Sequence, residues 1–192
     1  MRTISICLSI AVLSVLGPSL GVNAQDTNDE ITSPPFFIDR DARFAILFPG
    51  DPIVNDISYM TEAGTLFPAQ RFSLKEGTNE HIVTVVDFSD GPAVDIAIVE
   101  NAVEETMRGG ELIYEAEAEY EPGVGSRQFM ASLDDGREIQ ASVYMWDHRL
   151  FITEAIGAPG VPSLLRFAQS FTMLEADGGE LNFDPGPNEP AR

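Results

Sequence analysis

The sequence predicts an α+β fold: an antiparallel sheet of about seven strands with two helices packed on it. Three observations predict it. Between residues 112 and 156, four strand-like segments follow one another with only turn residues between them. Residues 93–108 instead repeat their apolar positions at helical spacing and end at a Gly-Gly pair. The strands come in runs rather than alternating with helices, which argues against a parallel βαβ sheet.

Residues 43–48 (RFAILF) form a short apolar strand closed by Pro49-Gly50. Residues 66–74 form a second, and Pro68 near its start predicts an edge position, because proline cannot donate to a ladder. Residues 81–88 (HIVTVVDF) are β-branched and almost continuously apolar, as expected of a strand covered on both faces. Ser89-Asp90-Gly91-Pro92 then signals entry into the helix of residues 93–108. Its apolar stripe is Val94, Ile98, Ala102 and Met107, flanked by Val99 and Val103, with Asp95, Glu100, Glu104 and Glu105 on the polar side.

The meander follows as 112–120, 126–133, 138–146 and 149–156. Asp134-Asp135-Gly136-Arg137 predicts a hairpin with a type I′ turn, since Asp-Gly tolerates positive φ. In the next strand Ile139, Ala141, Val143 and Met145 face one way and Glu138, Gln140, Ser142 and Tyr144 the other, a half-buried pattern. Residues 162–169 read as a short helix with proline in its first turn, and 170–174 either extend it or add a last strand.

The 192 residues carry 11 Lys plus Arg against 31 Asp plus Glu, a net charge of −20. Nucleic acids and anionic lipid require a basic footprint, so neither is an expected partner. At the N-terminus, Arg2 precedes an apolar run over residues 4–16, and Val22-Asn23-Ala24 supplies a cleavage site. That order predicts a secretory signal peptide over residues 1–24, cleaved after Ala24. The run is too short for the roughly 20 apolar residues of a spanning helix, so no membrane insertion is expected after cleavage. Cleavage removes Arg2 and Cys7, taking the net charge to −21 and leaving a cysteine-free mature chain. Export without disulfides predicts a periplasmic or secreted protein held together by an ordinary core. Residues 25–35 read as a flexible acidic leader, 36–174 as a single domain and 175–192 as a disordered acidic tail.

Candidate chemistry is sparse. Glu115, Glu117, Glu119 and Glu121 recur at every second residue and would share one strand face, making them weak candidates for a divalent cation such as Ca²⁺. A straight row does not wrap an ion, and solvation of an exposed strand explains it as well. His81 and His148 are the only imidazoles, no Gly-x-Ser-x-Gly elbow is present, and zinc would lack its usual ligands. Among 31 acids, two lying close together would not identify a glycosidase-type pair. No catalytic residue or cofactor is therefore expected. The expected partner surface is either the acidic face carrying the Glu115–Glu121 row or the aromatics Tyr144 and Trp146, placed on an outward strand face.

Phe44-x-Ile46-x-Phe48-Pro49-Gly50-x-Pro52, the helix ending at Gly109-Gly110, His148-Arg149-Leu150-Phe151 and Leu165-Arg166-Phe167-x-x-Ser170-Phe171 together carry a likeness. Over residues 40–174 the chain resembles small exported bacterial domains of unassigned function related to the PsbP-like α/β/α sandwich. The resemblance implies an accessory or docking protein and supplies no catalytic residues. The expected function is a non-enzymatic interaction module with a protein partner. A cation-responsive binding protein is the alternative, and a carboxylate-dependent hydrolase comes last.

Overall fold

The computed structural model describes residues 36–117, 124–179 and 181. Two antiparallel sheets organise them. The larger has seven strands in the order β3-β4-β5-β9-β8-β7-β6: β3 (Ile53–Met60), β4 (Leu66–Glu76), β5 (Asn79–Asp87), β9 (Arg149–Gly157), β8 (Glu138–Trp146), β7 (Gly125–Ser132) and β6 (Glu111–Ala116). The smaller pairs β1 (Phe37–Asp39) and β10 (Thr172–Met173) on either side of β2 (Phe44–Ile46). Helices α1 (Ile96–Met107) and α2 (Pro162–Gln169) complete the α+β architecture.

Each face of the large sheet has its own core. On one face Val99, Ala102 and Val103 of α1 pack on Phe129, Ile139, Val143, Ile152, Ile82 and Val86. On the other, Leu164 and Phe167 of α2 join Phe44, Phe48, Phe171 and Met173 around Phe72, Val83, Val85 and Phe151. The continuous apolar run of β5 follows directly: alternate residues feed opposite cores, so neither face can be polar.

Helix α1 starts later than the sequence signal suggested. Asp95, in extended conformation, accepts a hydrogen bond from the Ala97 amide at 2.9 Å and is the true N-cap. The helix ends as expected, with Arg108 and Gly109 in left-handed conformation. Residues 170–174 resolve into β10, after Ser170 closes α2 with its hydroxyl donating to the Phe167 carbonyl at 2.9 Å.

Four expectations are corrected. Pro68 does not mark an edge strand, because β3, unforeseen in the sequence, pairs with β4 from outside. Pro68 lies opposite Ser58, one residue before the register with β5 begins at Ala69, so its missing N–H interrupts nothing on that side. Residues 44–46 belong to the small sheet and not to the large one. The turn at residues 134–136 is a three-residue loop, with Gly136 donating to the Leu133 carbonyl at 3.0 Å and Gly136 alone at positive φ. A type I′ turn requires positive φ at both central residues, and the chain places that pair at Asp147 (φ 45°) and His148 (φ 61°).

The fourth correction concerns β8. Part of its second face is covered as well: Ser142 and Tyr144 are buried, and Phe171, from the segment after α2, stacks on Tyr144. The acidic tail begins with a hydrogen-bonded turn from Glu175 to Gly179, and Leu181 donates its amide to the Met173 carbonyl at 3.0 Å. Residues 1–35, which include the signal and leader segments with Ala24, lie outside the described residues, as do residues 182–192.

Candidate binding surface around the second helix

The glutamate row proves to have a basic partner. Arg127 on β7 reaches across to Glu115 of β6 (3.7 Å), to Glu117 just past that strand (3.2 Å), and to Glu100 on α1 (3.2 Å). A fourth bond, from its Nη1 to the Ser126 carbonyl at 2.8 Å, orients the guanidinium. One mostly buried cation thus serves three carboxylates and ties the sheet edge to α1. Glu119 and Glu121 lie outside the described residues. Among the described residues, no three His, Cys, Asp or Glu side chains are gathered as a metal would need.

Both histidines have structural neighbours. His148 sits in the hairpin tip, its Nδ1 2.9 Å from the Gly91 carbonyl, while its amide donates to the Ala93 carbonyl at 3.1 Å. These bonds hold the segment that leads into α1. His81 is fully buried on β5 beneath α2, edge-on to Phe167 with ring centroids 5.0 Å apart.

The aromatic pair expected to face a partner divides. Tyr144 is only 2% exposed and stacks on Phe171 at 5.3 Å with an interplanar angle of 5°, so it belongs to the core. Strand periodicity identified its face correctly, but Phe171, distant in sequence, covers that face. Trp146 is half-buried, with the Arg43 guanidinium 4.6 Å above its ring.

One buried charge escaped notice in the sequence. Glu154, 4% exposed, lies mid-strand in β9 on the α1 face. It accepts a short hydrogen bond from Arg108 at the α1 C-cap, and Arg71 of β4 lies 3.7 Å away. Burial pushes its carboxyl pKa up, and the two arginines oppose that rise. A lone acid inside the apolar run RLFITEAIG was the available signal.

An uncharged concavity flanks α2. Past the small sheet, the same face of β6, β7 and β8 is left partly uncovered, and a cavity of about 400 Å³ opens between it and the helix. Tyr114, Gln128, Met130 and Gln140 line the sheet side, and Leu165 and Gln169 the helix side. Among the described residues no Asp, Glu, Lys or Arg contributes to it. The Gln128 amide donates to the Tyr144 hydroxyl at 3.0 Å, which fixes one wall to the core. Tyr114 and Leu165 are 58% and 46% exposed at its rim.

No family model matches the chain, and no curated protein is similar to it.

Proposed function

We propose that this chain is an exported, non-enzymatic interaction or accessory module that receives a protein partner in the groove beside α2. The observation that carries the reading is the groove's freedom from charge in a molecule of net charge −20. Depletion of charge at the centre, with Tyr and Met present, is the compositional mark of a protein interface core. The glutamine amides supply directional hydrogen bonds, and the exposed Leu165 and Tyr114 supply apolar area that solvent does not favour. Export rests on the N-terminal sequence pattern. Kinship with the PsbP-like sandwich group belongs to the same proposal, supported by one helix on each face of a continuous antiparallel sheet.

The test is site-specific photo-crosslinking in cells that export the protein. A photo-reactive amino acid at position 165 should give a discrete heavier adduct, and one at position 104, exposed on α1, should not. Leu165→Asp, combined with a crosslinker at position 114, should abolish the adduct. Equal adducts from both faces, or an adduct indifferent to Leu165→Asp, would overturn the reading.

A further inference from the structure

A second cavity, on the opposite flank of α2, contains a feature the partner groove lacks. His81 is fully buried, and neither ring nitrogen has a hydrogen-bond partner among the described residues. A neutral imidazole has one donor and one acceptor to satisfy, and buried polar groups in native proteins are almost always paired. His81 lines a cavity of about 360 Å³ together with Leu47, Pro49, Glu76, Pro162, Ser163 and Arg166.

Three further properties converge on this cavity. Helix α2 begins here, and its N-cap Val161 makes no side-chain hydrogen bond, so the positive end of the helix is uncapped by any side chain. Arg166, one turn on, adds a full positive charge, while Glu76 at the end of β4 adds a negative one. Leu47, Pro49 and Pro162 provide an apolar wall. The volume falls within the lower range of small-molecule sites.

We infer that this cavity is a binding site for a small zwitterion of the free α-amino acid class. The ligand's carboxylate faces Arg166 and the first turn of α2, its ammonium faces Glu76, and its apolar side chain lies against the proline wall. His81 pairs with the ligand through a ring nitrogen that otherwise stays unpaired. The site is separate from the partner groove, so either can fail without the other.

The experiment is calorimetric titration of the purified protein with L-leucine, alongside N-acetyl-L-leucine, which lacks the ammonium, and L-leucinamide, which lacks the carboxylate. Leucine should bind at millimolar concentration or below, and each analogue should bind about tenfold or more weakly, the usual loss for one charge-assisted hydrogen bond. Arg166→Gln and Glu76→Gln, both at exposed positions, should each reproduce the loss of the matching analogue. His81→Phe keeps an aromatic ring against Phe167 but has no ring nitrogen, and should weaken leucine about tenfold. No binding of leucine, analogues binding as well as leucine, or full binding by Arg166→Gln would overturn the inference.

Discussion

Arg43 donates through Nη1 to the Asp147 carboxylate at 2.5 Å, and both residues hold left-handed backbone, with φ of 63° and 45°. The pair joins the turn before β2 to the tip of the β8–β9 hairpin, across a wide gap in sequence. Arg43 also donates Nε to the Leu174 carbonyl at 3.0 Å and covers Trp146. One side chain therefore fastens the small sheet, the end of β10 and the hairpin together. Arg43→Ala is expected to lower stability by about 2 kcal/mol in urea denaturation, from loss of several charge-assisted contacts. Asp147 is half-exposed, so a double-mutant cycle with Arg43 should return a coupling of no more than about 1 kcal/mol. Asp147→Gly should be milder than Asp147→Ala, because glycine accepts the left-handed conformation without a Cβ penalty.

Glu154 should dominate the response of the α1 face to mutation. Glu154→Ala removes the shared acceptor of Arg108 and Arg71 from a buried position and is expected to cost about 3 kcal/mol. Its pKa is raised in the folded state, so its contribution to stability is complete below the ordinary value of 4.5. That contribution declines as pH rises through the folded value. Glu154→Gln should therefore remove one downward component of stability on the alkaline side of pH 4.5. An unchanged pH–stability profile in this variant would contradict the burial argument.

His81 works in the opposite direction. Burial lowers its pKa, while the Glu76 carboxylate pulls it up by a smaller amount. Its contribution is present above the ordinary value of 6.5 and is lost as pH falls from there toward the folded value. Thermal melts across that interval should show a destabilisation on acidification that His81→Phe abolishes.

The Arg127 clamp makes a prediction about calcium. In the parent protein Arg127 already compensates Glu100, Glu115 and Glu117, so millimolar Ca²⁺ should leave the melting temperature nearly unchanged. Arg127→Gln should cost about 1 kcal/mol, since its partners are largely solvent-exposed. Three uncompensated carboxylates would then remain, and the variant should gain a calcium-dependent rise in melting temperature that the parent lacks.

The two glycines after α1 should respond unequally. A Cβ at Gly110 would meet the Ser132 carbonyl oxygen at 2.7 Å and the Met107 carbonyl at 3.1 Å, both backbone atoms that cannot swing aside. Gly110→Ala should cost about 2 kcal/mol or more by forcing the helix end off β7. Gly109 has open space around it but a φ of 77°, so Gly109→Ala should cost only about 1 kcal/mol of backbone strain. Urea titration of both variants checks the order.

Whatever depends on local backbone geometry can be read from the amino-acid order alone. The alternation of β8, the helical stripe of α1, the proline start of α2 and the two-sided burial of β5 were all legible, because side-chain period and backbone conformation are linked residue by residue. Which faces are covered and which charges are paired emerges only once the chain is folded. Tyr144 reads as an outward residue until Phe171 stacks on it, and Glu117 reads as a free carboxylate until Arg127 arrives from β7. The uncharged groove was hidden for the same reason: Gln128, Met130 and Gln140 are ordinary residues in their strands and become a wall only when α2 sets Leu165 and Gln169 opposite. Edge strand β3 was missed because an uncovered strand needs no apolar face, and so leaves no periodic signal. Coverage and charge pairing join segments far apart in the chain, and no local pattern encodes the partner.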